Sequence, residues 1–165
     1  DVESFLKLRY SINFKTEIKS KHYSYNLGKQ KETTVYTAGV FDLFHIGHVN
    51  YLKKAKELFD TVIVGVHNDK DIASYKRMTV IPYEQRLEIV KSCKFVDEIF
   101  ENAPIYTMDE VLDFVGANYT IVGRENLEFI EKFYPLKNKN RLFLVDRTSN
   151  ISSKEIIEKI KLNNL

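Results

Sequence analysis

Cysteine is almost missing from this chain of 165 residues. Cys93 stands alone, which excludes a disulfide framework and any zinc site built from several thiolates. Tryptophan is absent, and glycine is sparse at six residues. Neither G-x-G-x-x-G nor the P-loop pattern G-x-x-x-x-G-K-[ST] occurs, which removes the commonest dinucleotide and P-loop readings. Long apolar runs are lacking too. Val62-Ile63-Val64-Gly65-Val66 is the longest clean one, far short of the about 20 residues that cross a bilayer. Neither charge sign dominates: 25 basic and 23 acidic side chains leave +2, which argues against a dedicated nucleic-acid binder. No secretory leader pattern opens the sequence, so a cytoplasmic, reducing setting is expected. With Asp1 in place of Met, a processing or cloning boundary is expected at the start.

What is present suits one globular domain. The composition is 44% apolar and 13% aromatic, enough for a single core at 19.4 kDa. Residues 1–32 stand apart as a basic, aromatic-containing arm. Seven Lys or Arg against four acids give it +3, while the remainder sums to −1. Such an arm is either a solvated lead-in or a contact for a membrane surface or a partner.

From residue 33 a strand–helix alternation begins. Thr34–Val40 and Thr61–Val66 read as buried strands, Val96–Phe100 as a third, and Tyr119–Val122 and Arg141–Val145 as the fourth and fifth. Between them, Val49, Leu52, Ala55 and Phe59 recur at helical spacing over 47–59, with Lys53, Lys54 and Lys56 on the wet side. Pro82 opens a helix over 83–93. Thr107 and Glu110 form a capping box for a helix that stops at Gly116, and Ser152 with Glu155 forms another. Strands alternating with helices predict an α/β fold, a Rossmann-like doubly wound parallel sheet of five strands over residues 33–165.

In such a sheet, ligands bind beyond the carboxyl ends of the strands. There the first strand runs into Phe41-Asp42-Leu43-Phe44-His45-Ile46-Gly47-His48. Two histidines at a helix mouth suit an anion, because the helix start offers unpaired N–H groups and imidazoles add donors. A metal held by Asp42, His45 and His48 is the other reading of the same residues.

Gly39-Val40-Phe41-Asp42-Leu43-Phe44-His45-Ile46-Gly47-His48 resembles the G-x-F-D-x-x-H-x-G-H signature of the nucleotidyltransferase superfamily, in its cytidylyltransferase branch. Four further segments agree in order. Tyr75-Lys76-Arg77 followed by Tyr83-Glu84-Gln85-Arg86 resembles that family's lysine loop and E-x-R helix. Lys94-Phe95-Val96-Asp97-Glu98-Ile99 is similar to R-Y-V-D-E-V, and Asn102-Ala103-Pro104 to a stretch of the phosphocholine and phosphoethanolamine enzymes. Arg147-Thr148-Ser149-Asn150-Ile151-Ser152-Ser153 resembles R-T-x-G-I-S-T.

The resemblance implies transfer of CMP from CTP to a small phosphorylated alcohol (phosphoethanolamine, phosphocholine or glycerol-3-phosphate) with release of pyrophosphate. A phosphomonoester is mostly dianionic at pH 7 and needs no general base. The barrier is the gathering of anions, so cations and N–H donors carry the work. By resemblance, His45 and His48 bind triphosphate oxygens, Lys76 reaches the α-phosphate with Arg77 as the other candidate, and Arg147 clamps the β- and γ-phosphates. Thr148, Ile151, Ser152 and Ser153 supply donors at the last helix start. Gly39, Val40, Phe41, Asp42, Arg86, Lys94 and Gly123 complete the nucleotide site. Arg124 and Tyr106 are expected at the acceptor, with Tyr134 also available to a cationic head. Magnesium is expected with CTP, Asp42 being its one possible protein ligand, and Lys94–Ile99 suggests a homodimer.

The histidines are expected to serve chemistry and leave folding little affected. Asn150 stands where the family has glycine, an exchange a left-handed backbone tolerates. Ser153 replaces threonine, and Arg124 replaces an acid. An adenylyltransferase using ATP and a non-catalytic nucleotide-binding module are the alternatives.

Overall fold

Short β-branched runs flanked by amphipathic helices fold as the alternation predicts. In a computed structural model, residues 32–74, 76–124 and 127–163 are described. Except for Glu32, the basic arm lies outside them, as do Tyr75, Glu125 and Asn126. Five strands, β1 (Thr34–Gly39), β2 (Thr61–Val66), β3 (Glu98–Phe100), β4 (Tyr119–Gly123) and β5 (Leu142–Val145), form one sheet in the order β3-β2-β1-β4-β5. Every pairing is parallel, with Thr34 opposite Thr61 and Gly39 opposite Val66 along the longest. The order reverses direction between β1 and β4, which makes the mouth of those two strands the crevice where such sheets bind ligands.

Alternate strand residues face opposite layers. Val35, Val62, Val64, Val66 and Ile121 pack with Leu52 and Ala55 of α1 (Ile46–Leu58) and with Leu87 and Val90 of α3 (Tyr83–Lys91). Between these two helices comes the short α2 (Asp69–Ile72). On the other face, Val122 packs with Ile130, Phe133 and Tyr134, at and just beyond α5 (Leu127–Phe133), after α4 (Asp109–Val115). The last helix is α6 (Ser153–Leu162). Leu52 is wholly buried, and truncating it to Ala would cost about 2–5 kcal/mol. Among the described residues, no helix is long and apolar enough to cross a membrane.

Three local expectations need correction. The box between Thr107 and Glu110 does not form: α4 is capped at Met108 without a side-chain bond. The Thr107 N–H donates instead to the Phe133 carbonyl at 2.8 Å, and Glu110 takes Lys137 Nζ at 3.0 Å. The third strand starts at Glu98 because Asp97 turns its carboxylate onto the Val62 N–H at 2.8 Å. Lys54, expected to be solvated, donates to the Asp146 carbonyl at 2.7 Å. The C-terminal stop at Gly116 is left-handed, with φ 73°, and Ser152 Oγ accepts the Glu155 N–H at 3.1 Å. Helices α2 and α5 were not expected from the sequence.

Candidate active site

Leaving β1, the chain makes a tight turn with Phe41 at φ 52° and Leu43 at φ 49°, both left-handed. Between them, buried Asp42 accepts the N–H groups of Val80 (3.0 Å) and Ile81 (2.9 Å) and pairs with Arg77 Nη2 at 3.1 Å. Its carboxylate therefore fastens the 77–81 segment over the end of β1. With both oxygens so engaged, Asp42 does not suit a metal ion. Among the described residues, no cluster of three or more His, Cys, Asp or Glu side chains could hold one. This corrects the reading of Asp42, His45 and His48 as a three-residue metal site.

His45 is the N-cap of α1. Its Nδ1 accepts the Gly47 N–H at 3.1 Å, and the His45 N–H in turn donates to His48 Nδ1 at 3.2 Å. The two imidazoles thus form a reciprocal capping box, so they hold the helix start as well as facing the site. Each Nδ1 is an acceptor, which leaves the proton of a neutral ring on Nε2. Burial, then the charges of His45 and Arg147, lowers the His48 pKa to about 4 against a weaker pull from Asp42. Burial and Arg147 lower that of His45 as well, with Glu155 opposing. At pH 7 both rings are neutral and carry an Nε2–H donor.

The rings stack 4.0 Å apart between centroids, with Phe44 stacked on His48 at 5.3 Å. Gly47 is required by contact: a Cβ there would lie 2.8 Å from the His45 ring and 3.1 Å from Ile151 Cγ2. Gly39 similarly leaves room for the Phe41 ring, 3.0 Å from where its Cβ would be.

These groups open onto a cavity of about 650 Å³ at the carboxyl ends of the strands, a size suited to a small-molecule ligand. Gly39 of β1, Val40, Phe41 and Asp42 of the turn after it, and His45 and His48 at the start of α1 line it, with Lys76 and Arg77 from the segment after β2 and Gly123 from β4. Arg147, Thr148, Ile151, Ser152 and Ser153 line it from the β5–α6 loop. That loop is latched: Thr148 Oγ1 accepts Asn50 Nδ2 at 3.2 Å and Ser153 Oγ donates to the Asp42 carbonyl at 2.6 Å. Asn150 takes the left-handed conformation, φ 59°, in the glycine's place. Asn50 and Lys54 are i,i+4 partners on α1, and that spacing was the available signal for the latch.

Four expected residues are elsewhere. Arg86 is wholly buried, donating to the carbonyls of Val40, Ile81 (3.0 Å) and His67 (2.9 Å) and to Asp69 Oδ1 (2.7 Å), so it braces the site from beneath. Lys94 precedes β3 at the amino-terminal rim, exposed over the Phe95 ring at 5.1 Å, because the α3–β3 connection returns the chain to the far end of the sheet. Arg124 is exposed beside Asp146 at 3.9 Å, and Tyr106 stacks on Phe133 at 5.6 Å; neither lines the cavity. Tyr134, the other aromatic named for a cationic head, does line it, together with Ile105, Phe129 and Phe133. The unexpected helix α5 brings Phe129 and Phe133, which is why a reading without that helix missed them. His67 also lines the cavity and went unnoticed as a lone histidine after a strand.

A family model described as cytidylyltransferase-like matches residues 36–159. Ethanolamine-phosphate cytidylyltransferase of Dictyostelium discoideum is 32% identical over 136 residues, covering 81% of this chain and 38% of that protein. Choline-phosphate cytidylyltransferase of Saccharomyces cerevisiae is 32% identical over 163 residues, covering 92% and 38%. The chain thus spans about two-fifths of the length of these curated relatives. Among solved structures, a lipopolysaccharide core biosynthesis protein from Thermoplasma volcanium aligns with a TM-score of 0.58 at 23% identity, over 72% of this chain and 99% of the other. That likeness is one of fold.

Proposed function

This chain belongs to the cytidylyltransferase-like family, and on that premise we propose that it transfers CMP from CTP to the phosphate of a small phosphorylated alcohol. Phosphoethanolamine, phosphocholine and glycerol-3-phosphate are the acceptors considered. The observation that carries the proposal is the sharing of one cavity by two neutral, backbone-fixed imidazoles and Arg147. An acceptor phosphate oxygen attacks the α-phosphorus in line, and the bond to the pyrophosphate oxygen breaks. No proton has to be removed from the nucleophile. Charge builds on the transferring group and on the leaving oxygen. Donors that are already fixed when this happens stabilise it without reorganisation.

In this reading the Nε2–H groups of His45 and His48 and the cations of Lys76, Arg77 and Arg147 supply that stabilisation. Ser152 and Ser153 add backbone donors at the start of α6, where the helix end favours an anion. Magnesium, if it enters with the triphosphate, would offset part of its negative charge. We further propose a cytoplasmic homodimer joined through 94–99, with residues 1–32 available to a membrane surface or a partner. β3, short and at the sheet edge, lies in that segment. A monomer in sedimentation at micromolar concentration overturns the dimer.

The decisive test is pyrophosphate release with CTP or ATP, magnesium and each phospho-alcohol. CTP-dependent release with at least one acceptor is expected. Faster release from ATP than from CTP overturns the cytidylyl reading, and no turnover with either turns the assignment toward a binding module.

A further inference from the structure

His67 follows β2, is 5% exposed and lines the cavity, yet the mechanism above leaves it without a part. Its Nδ1 lies 3.0 Å from the Ala103 carbonyl. A carbonyl only accepts, so Nδ1 carries the hydrogen and the neutral ring leaves Nε2 as a bare acceptor. This is the opposite tautomer to that of His45 and His48. Three more bonds hold the ring's backbone and partner in place. The His67 N–H donates to the Gly39 carbonyl at 3.1 Å, the His67 carbonyl takes Arg86 at 2.9 Å, and the Ala103 N–H donates to Val66 at 3.1 Å. Ala103 can press this close because β2 carries Gly65, where a Cβ would lie 2.6 Å from the Ala103 methyl.

From Ala103 the same segment runs to Thr107, whose N–H binds the Phe133 carbonyl at 2.8 Å. One stretch of chain therefore fixes both the imidazole and the aromatic wall of Phe133 and Tyr134. This end of the cavity offers rings and a hydrogen-bond acceptor. It repels a phosphate, whose oxygens would meet the Nε2 lone pair, and it suits a cation that bears N–H.

We propose that His67 selects the acceptor's head group, taking at Nε2 a hydrogen bond from an N–H of an ammonium group, so that a fully methylated ammonium is the poorer substrate. The inference rests on the phospho-alcohol reading above. Lys76 lines the same cavity, and its charge acts on His67. At the ring Asp71 opposes Lys76 and Arg86, and the Arg86 charge is met by Asp69. Burial holds the ring neutral, lowering its pKa to about 4; the Ala103 bond and Asp71 resist, and Lys76 and Arg86 add to the lowering.

The test is kcat/KM for CMP transfer to phosphoethanolamine, its N-methyl and N,N-dimethyl forms, and phosphocholine. For the unaltered protein the largest drop is expected at the last methylation, where the final N–H disappears, by about tenfold or more, the worth of a hydrogen bond to a charged group. His67→Asn keeps a donor for Ala103 but has no acceptor at the Nε2 position, and it should flatten the series. His67→Gln, whose amide oxygen reaches that position, should restore part of it. Nitrogen NMR of the ring is expected to show the proton on Nδ1.

A series with no step at the last methylation, an equal loss for all four acceptors in His67→Asn, or a proton found on Nε2 overturns the assignment while leaving the transferase reading standing. Absence of transfer to any phospho-alcohol by the unaltered protein overturns that reading, and the selection with it.

Discussion

At the amino-terminal rim of the sheet, charged side chains close on the backbone; at the carboxyl-terminal rim, they surround a cavity. Asp60 accepts the Thr33 N–H at 2.7 Å, Asp97 accepts that of Val62 at 2.8 Å, and Arg141 donates to the carbonyls of Ala117 (2.8 Å) and Asn118 (3.0 Å). Each lies where a strand begins. Across the sheet, Lys76, Arg77 and Arg147 are exposed around the histidine pair, and Arg86 braces the loops from below. Residue type does not separate the two rims. What separates them is where the charged groups are gathered: onto the strand starts at one rim, and around a shared cavity at the other. Changes at the two rims should therefore separate stability from activity.

The largest effect expected is on the brace. Arg86→Met removes the donor from three buried-side carbonyls and takes the cation from Asp69, which should lower stability by roughly 3–5 kcal/mol in denaturant unfolding. A loss below 1 kcal/mol with turnover impaired would return Arg86 to the substrate. Next comes His48→Ala. Removing one fixed donor should lower kcat by about 10²–10³, equivalent to about 2.7–4 kcal/mol, and a drop of tenfold or less contradicts its role. His45→Ala should lose activity similarly and also about 1 kcal/mol of stability, because it removes the N-cap of α1.

Most of the fold was legible because its signals are local. Buried β-branched runs and a left-handed stop at Gly116 need no partner to be recognised. The histidine side of the cavity was legible as well, since one continuous segment, 39–48, supplies the turn, the cap and both imidazoles. Arg86 was misread because its motif position says nothing of direction: only the packed structure shows that three carbonyls converge on its guanidinium. The aromatic end was illegible for another reason. It is assembled from His67, Ile105 and the residues of α5, three segments whose meeting depends on the tertiary fold.

A smaller effect is expected from pH. His48 and His67 each titrate near 4 in the folded protein against an ordinary 6.5. Between those values the unfolded chain binds more protons, so this contribution is complete above pH 6.5 and is lost as pH falls toward 4. The slope should approach about 1.4 kcal/mol per pH unit for each ring. Denaturant unfolding from pH 7 to 4.5 measures it. His48→Ala and His67→Asn should each flatten the dependence, and an unchanged slope in both would mean that the rings are not held neutral.

The smallest effect belongs to the amino-terminal rim. Asp97 joins β2 to the start of β3 through the Val62 N–H, and Lys56 Nζ reaches its two oxygens at 2.8 and 2.9 Å. Its pKa is lowered: burial pulls it upward, and the Lys56 and Val62 hydrogen bonds with the Lys56 charge outweigh that. Asp97→Asn keeps an acceptor for Val62 and loses only a partly exposed ion pair, about 0–1 kcal/mol. Asp97→Ala loses the backbone bond too, roughly another 0.5–1.5 kcal/mol. Neither should alter kcat/KM for CTP, because the cavity is at the opposite rim. If Asp97→Asn impairs turnover with stability unchanged, the two rims are coupled, through the sheet or through a second copy of the chain packed on 94–99, and the division of labour between them fails.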